Sequence, residues 1–285
     1  MGTDALSNTD ALCRRGIFGN TAAEALPQTA VADAITAHMS GGGTRRRRVL
    51  VYGLDGVRAD CCPAALQDGG TAYIASMGTN LLSYAGGDPK HPETLQKTCT
   101  WQGWASILAG KWGIENGVVE FTTLRRDCPT ALLKLARLGM QCSFIVVWPD
   151  HFGVTYKDEI EMARTEKINF SHILAPDEDA LYSYVIERTD VGDDVIFAIV
   201  DSTDHLGHAT GFSPDNPAYT KEIEKRDMQA LQAIRHIESR REFANEDWLF
   251  IITTDHGGHD MTHFDQSPED KLTFIASNKK EYFKN

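Results

Sequence analysis

The carboxylates and imidazoles of this chain gather in three short segments, each directly after an apolar run. Asp55 lies in Gly53-Leu54-Asp55-Gly56-Val57-Arg58, which follows Val49-Leu50-Val51-Tyr52. Asp201, Asp204, His205 and His208 follow the run from Val195 to Val200. Thr254-Asp255-His256-Gly257-Gly258 follows Leu249-Phe250-Ile251-Ile252, with His259 and His263 just beyond. Carboxylate oxygen and imidazole nitrogen are the donors that hard or borderline divalent cations take, and a closely spaced metal pair needs about six or seven of them. Taken singly, each segment has a plainer use, since Asp at a strand end caps helices and forms turns. Three such segments in one chain favour a metal site. In the second, spacing leaves the register open: Asp201 with His205 and Asp204 with His208 have the same offset.

The nucleophile that such a site would serve has a candidate in Thr98-Cys99-Thr100-Trp101-Gln102-Gly103-Trp104-Ala105-Ser106, which reads as a loop entering a helix. A hydroxyl at a helix N-terminus sits beside free N–H groups and the positive end of the macrodipole, where an anion is stabilised. Coordination by a metal would lower the Thr100 hydroxyl pKa enough to supply an alkoxide near neutral pH. The plainer reading is an ordinary helix cap.

Positioning these residues falls to the apolar runs. Val49–Tyr52, Phe144–Val147, Val195–Val200 and Leu249–Ile252 are continuous β-branched and aromatic stretches, the pattern of strands buried on both faces. Leu272 to Ala276 reads as a further strand. Helical stretches lie between them at Thr130 to Leu138, Asp177 to Arg188 and Tyr219 to Phe243, the last with Ile223, Met228, Leu231, Ile234 and Ile237 at near-helical spacing. Strands alternating with helices predict an α/β fold with a mainly parallel central sheet flanked by helices. Ligands bind beyond the carboxyl ends of such strands, so the three segments are expected to converge on one crevice. Residues 1–46, closed by Gly41-Gly42-Gly43, read as an N-terminal extension and linker with a helix somewhere in Ala22 to Met39; residues 47–285 read as the catalytic domain.

Composition narrows the partners. A net charge of −12 argues against general affinity for nucleic-acid polymers, which needs clustered Lys and Arg. The one basic run, Arg45 to Arg48, is read as a solvated flank to the first strand. No stretch approaches the ~18 apolar residues of a membrane span. Asp4, Asp10, Arg14 and Arg15 interrupt any signal-peptide core, so no membrane association and a cytoplasmic location are expected. The cysteines, Cys13, Cys61, Cys62, Cys99, Cys128 and Cys142, form no C-x-x-C pair and are expected to be free thiols.

Asp55-Gly56-Val57-Arg58, Thr100 followed by Ser106-Ile107-Leu108-Ala109-Gly110, Asp204 through Gly207-His208 to Gly211, and Asp255-His256-Gly257 stand in a telling order. Over residues 47 to 278 this set resembles the type I phosphodiesterase/nucleotide pyrophosphatase family of the alkaline phosphatase superfamily. The resemblance implies an alkaline phosphatase-like fold and settles the register on Asp204 and His208. It implies two divalent ions, zinc in the family, one held by Asp55, Thr100, Asp255 and His256, the other by Asp204, His208 and His263. It further implies a small phosphate ester or nucleotide as substrate, hydrolysed as by a phosphodiesterase or nucleotide pyrophosphatase through a phosphothreonine at Thr100. A phosphomonoesterase on the same core is the alternative. A sulfatase is disfavoured because Cys99-Thr100-Trp101-Gln102-Gly103 lacks the Pro and Arg of a C-x-P-x-R motif; a phosphomutase and a non-catalytic metal- or phosphate-binding protein are further readings. Two departures stand out. Gly103 leaves no side chain to hold a phosphate oxygen, and Asn116 replaces the His of a His-Gly pair. Arg58 is read as a salt-bridging residue beside an acidic loop.

Overall fold

The apolar runs become the inner strands of one sheet. The computed structural model describes residues 18–62 and 79–283; Cys13 and the start of the expected extension lie outside them. In chain order the main elements are β1 (Leu26–Pro27), α1 (Ala30–Ser40), β2 (Arg46–Leu54), β3 (Thr79–Tyr84), α2 (Thr100–Ala109), α3 (Gly113–Asn116), α4 (Ala131–Arg137), β4 (Cys142–Val146) and a π-helical turn (His151–Thr155). They continue with α5 (Lys157–Glu166), β5 (Phe170–Leu174), α6 (Glu178–Val191), β6 (Val195–Val200), α7 (Ser202–Thr210), α8 (Pro217–Ser239), β7 (Glu246–Thr253), α9 (Pro268–Lys271) and β8 (Leu272–Ser277).

The strand order is β1-β3-β8-β7-β2-β6-β4-β5. β8 runs antiparallel to both neighbours, and the other pairings are parallel, which is the mainly parallel sheet that the alternation of strands and helices predicts. Val51 of β2 sits between Phe197 of β6 and Ile251 of β7. Alternation along each strand divides the core in two. Leu50, Tyr52 and Leu54 join Ile196, Ala198 and Val200 under α6 and α8. Val49 and Val51 join Phe197 and Ile199 under α1, α2 and α4 on the other face. Both faces are covered, so the strands need apolar residues at every position.

The expected helices form with identifiable ends. Thr130 accepts from Leu133 N to cap α4, Asp177 accepts from Ala180 N to cap α6, and Pro217 opens α8 behind the Asn216 cap. One expectation is met and another changes. The helix sought in Ala22 to Met39 forms as α1, and Val31, Ala34, Ile35 and Met39 are buried in the same core as the sheet. The Arg45–Arg48 run is no mere solvated flank. Arg46 pairs with Asp194 at 2.6 Å, Arg47 donates to the carbonyls of His38 and Gly42, and buried Arg48 pairs with Glu246 at 3.0 Å. Cys61, Cys62, Cys99 and Cys142 are buried free thiols and Cys128 is a partly exposed one. Among the described residues, no helix is long and apolar enough to cross a membrane.

Candidate active site

The central strands β7, β2 and β6 all end on one side of the sheet, and each hands its chain to an acidic loop. Asp55 follows β2, Asp201 and α7 follow β6, and Thr254-Asp255-His256 follow β7. Since β2 has β6 on one side and β7 on the other, the loops diverge there and leave a crevice. Thr100 opens α2 beside it. The preceding residue, Cys99, is extended and provides no side-chain cap, so the first-turn N–H groups keep their capacity for an anion.

Two clusters adjoin in the crevice. In the first, Thr100 Oγ1 donates to Asp55 Oδ1 at 3.3 Å and lies 3.3 Å from His256 Nε2. His256 Nε2 is 3.5 Å from Asp55 Oδ1 and 3.4 Å from Asp255 Oδ2. In the second, His208 Nε2 is 3.3 Å from Asp204 Oδ2, His263 Nε2 is 3.6 Å from Asp204 Oδ1, and the two Nε2 atoms are 3.1 Å apart. The rings of His256 and His263 stack at 4.0 Å and join the clusters. Ligand atoms of Asp55, Asp255 and His256 lie within 4.8 Å of one another, as do those of Asp204, His256 and His263. All seven residues singled out by sequence are therefore gathered, six of them buried and His208 half-buried.

The histidine tautomers decide what this arrangement can hold. His208 Nδ1 donates to Met261 O at 2.9 Å, His256 Nδ1 to Gly257 O at 2.7 Å and His263 Nδ1 to Thr98 O at 2.8 Å. A carbonyl only accepts, so each Nδ1 carries the proton; His256 and His263, both held below the ordinary imidazole range, turn a bare Nε2 lone pair inward, while His208 Nε2 faces the Asp204 carboxylate. Lone pairs thus face lone pairs and carboxylates. Asp204 Oδ1 and Asp255 Oδ2 are buried with no hydrogen-bond donor. Such a donor set could hold a divalent cation, and pinning of the far ring nitrogen is the usual outer-shell device of a metal-binding histidine.

Electrostatics agree. Burial, then the neighbouring Asp255, Asp204 and Asp201 charges, push the Asp55 carboxyl well above the ordinary range. Burial likewise pushes Asp255 well up. Burial and the nearby His263 hold His256 down to about 3, so it stays neutral, as a ligand must. The hydrogen bond that His208 donates to Asp204 lifts its imidazole to about 9. Burial works to raise Asp204, yet the hydrogen bond from His208 and the neighbouring His256 and His263 rings hold it below its usual value. Cations placed among these groups would reverse the pressure on the carboxylates.

Local sequence features build this geometry. Gly56 has φ +65°, and a Cβ there would lie 2.5 Å from Asp204 Oδ1, so only glycine lets the β2 and β6 loops touch. At Gly103 a Cβ would lie 2.8 Å from the Asp255 backbone oxygen; α2 packs onto the β7 loop where a side chain has no room. Trp104 Nε1 donates to Asp55 Oδ2 at 2.8 Å. Arg58 pairs with Asp60 at 2.6 Å and donates to Phe212 O and Gly258 O, which makes it the salt-bridging brace expected. Of the two registers, His208 reaches the cluster, whereas His205 is exposed and pairs at 3.0 Å with Asp201. Asp201 itself is buried with its carboxylate among those of Asp55 and Asp204, and burial lifts it to about 6.

Several contributors escape sequence reasoning. Trp104 meets Asp55 only because α2 crosses β2. Trp101 lies 5.2 Å from Phe121, 6.4 Å from Trp148 and 6.2 Å from Phe264, ring centre to ring centre. Phe121 and Phe264 are exposed, so an open aromatic platform stands immediately beside Thr100.

No protein-family model and no curated protein sequence matches the chain. Solved structures do. An inactive threonine-to-alanine form of murine ectonucleotide pyrophosphatase/phosphodiesterase 5, in complex with AMP, is similar at TM-score 0.52 and 17% identity over 74% of this chain and 57% of that one. A 2-O GAG sulfatase is similar at TM-score 0.56 and 13% identity, over 81% and 64%. An alkaline phosphatase superfamily protein from Vibrio parahaemolyticus is similar at TM-score 0.51 and 12% identity, over 92% and 72%. The chain thus spans less than two thirds of the murine protein and of the sulfatase.

Proposed function

We propose that this chain, whose fold is that of the alkaline phosphatase superfamily, is a metal-dependent hydrolase of phosphate esters with Thr100 as nucleophile, and a phosphodiesterase or nucleotide pyrophosphatase in preference to a monoesterase. The observation that carries the reading is the gathering of the Thr100 hydroxyl, three histidine Nε2 atoms and three buried carboxylates in two adjoining clusters, with the Nδ1 atoms of His208, His256 and His263 each pinned to a carbonyl. Asp55, Asp255, His256 and Thr100 would hold one cation and Asp204, His208 and His263 the other. Zinc fits the mixed nitrogen and oxygen donors. Bound there, divalent cations supply the charge that lowers a hydroxyl pKa and offsets phosphoryl oxygens.

The chain's own groups do the rest. Asp55 Oδ1 accepts the Thr100 hydrogen bond and orients the oxygen for in-line attack. The Thr100 Oγ–P bond forms as the bond from phosphorus to the leaving oxygen breaks; the Thr100 hydroxyl gives up its proton to solvent and the leaving oxygen takes one up. Water then attacks the phosphothreonine, breaks the Oγ–P bond and restores the hydroxyl. The free N–H groups at the start of α2 are available to non-bridging phosphoryl oxygens. With no side chain at Gly103, this backbone contribution gains weight.

Two observations favour a diester or nucleotidyl substrate. The aromatic platform offers a stacking face to a base or other flat group on one arm of the phosphate. The murine protein with this fold, inactive as a threonine-to-alanine form, is in complex with AMP. A sulfatase is disfavoured further because the buried Cys99 thiol is engaged as a donor to Gln102 Oε1 at 3.1 Å. The test is hydrolysis of p-nitrophenyl phosphate and bis-p-nitrophenyl phosphate with and without chelator, alongside Thr100→Ala. Diester cleavage that exceeds monoester cleavage, stops with chelator and falls at least a thousandfold in Thr100→Ala is expected, in line with losing a catalytic nucleophile (~10³-fold or more). Zinc-loaded protein that cleaves neither ester, or a Thr100→Ala variant of unchanged rate, overturns it.

A further inference from the structure

Asp270, in the short helix α9, reaches both the Thr98–Thr100 segment and the loop after β7 that carries His256 and His263. Its carboxyl is fully buried. Oδ1 accepts from His259 Nδ1 at 2.8 Å. Oδ2 accepts from Thr98 Oγ1 at 3.2 Å, Phe264 N at 3.1 Å and Asp265 N at 3.3 Å. Its backbone oxygen accepts from Gly257 N at 2.8 Å. Thr98 precedes the nucleophile by two residues and its carbonyl receives His263 Nδ1; Phe264 follows His263; Gly257 follows His256.

The segment it holds is under backbone strain. Asp260, Phe264 and Gln266 all have positive φ, at 47°, 124° and 63°. Non-glycine residues stay in that region only where their surroundings over-determine it, and such strain gathers at functional sites. Two consecutive N–H groups, of Phe264 and Asp265, bind one buried carboxylate oxygen, while Gln266 Nε2 donates to Gly86 O at 2.7 Å. These bonds fix the turn that aims His263.

We propose that Asp270 is a positioning residue that sets His263, His256 and the Thr98–Thr100 loop in register for metal binding and nucleophilic attack. The inference rests on the metal-dependent reading of the site. A carboxylate that accepts four hydrogen bonds from the Thr98 segment and the loop after β7 acts as an outer shell common to both clusters, and loss of such a partner costs about 10–100-fold in metal affinity or activity.

The test compares wild type, Asp270→Asn and Thr98→Val, the last removing one bond to Asp270 with little change of shape. Zinc affinity is measured by competition with a chromophoric chelator, the melting temperature on metal-free protein, and kcat and KM on bis-p-nitrophenyl phosphate. Expected are a ten- to hundredfold loss of zinc affinity and of kcat in Asp270→Asn, a smaller loss of the same kind in Thr98→Val, and KM within about twofold, since neither residue touches the ester. Wild-type zinc affinity in both variants, with only a lower melting temperature, makes Asp270 a structural residue and overturns the inference. If Asp270→Asn does not fold, Thr98→Val decides. Wild-type protein that binds no zinc sinks the underlying reading instead.

Discussion

Asp255→Asn should stabilise the metal-free protein while destroying the metal site. Asp255 Oδ1 accepts from Gly56 N at 3.2 Å, a bond the amide oxygen of Asn keeps. Oδ2 is buried without a donor, 3.4 Å from a His256 Nε2 whose lone pair points inward. An amide nitrogen in that place donates to His256. The change replaces a buried, unpaired acceptor by a hydrogen bond of about 1 kcal/mol and relieves an unsatisfied-group penalty of about 1–3 kcal/mol. A net gain of about 2 kcal/mol corresponds to a rise of roughly 4–8 °C in melting temperature at this chain size. The gain must depend on pH in one direction. Burial raises the folded-state pKa of Asp255 well above 3.8, so its neutral form supports stability below 3.8 and that support is lost as pH rises through the folded value. The advantage of Asn is therefore gone near pH 4 and grows as pH rises toward 8. Calorimetric melts in chelator at both pH values, repeated with zinc, provide the assay. With zinc the order should invert, because wild type alone gains binding energy from the full ligand set. An Asp255→Asn protein less stable than wild type in chelator near pH 8, or equally zinc-stabilised, refutes the reasoning.

Other expectations follow from the same geometry. Asp204→Asn should lower kcat at least a hundredfold through loss of a ligand, whereas Asp201→Asn, whose carboxylate is engaged by exposed His205, should change it less than about tenfold; equal losses in steady-state assays would return the register to Asp201 and His205. Trp148→Ala should raise KM for a nucleotidyl ester by roughly fivefold or more with kcat within about twofold, from the ~1–3 kcal/mol that base stacking contributes. An unchanged KM would remove the aromatic platform from the substrate site.

How much of this was legible in the sequence follows from how each part is held. The inner strands could be read because both faces are buried, which forces continuous apolar runs at Val49–Tyr52, Val195–Val200 and Leu249–Ile252. Their ends could be read because acidic residues break those runs. The edge strands lack that signature: β1 has only two residues and β5 buries only Phe170. Trp104 reads as a core residue, and its indole N–H meets Asp55 only through helix packing. Asp270 follows Ser267-Pro268-Glu269, and Ser267 Oγ does accept from Asp270 N, so locally it is an acid in a helix's first turn. Its reach to Thr98 and Phe264 depends on contacts 172 and 6 residues away, which no local pattern encodes. His259 and His263 show the limit most sharply. Both follow β7 in one loop, and by residue type either is a ligand. What separates them is the partner of Nδ1. In His259 it donates to a carboxylate and Nε2 turns to Asp265, so both nitrogens are spent. In His263 it donates to the Thr98 carbonyl, which leaves Nε2 bare toward Asp204 and His208. Which histidine is free to bind a cation is here set by the fold's outer hydrogen bonds, and sequence reached His263 only through the resemblance.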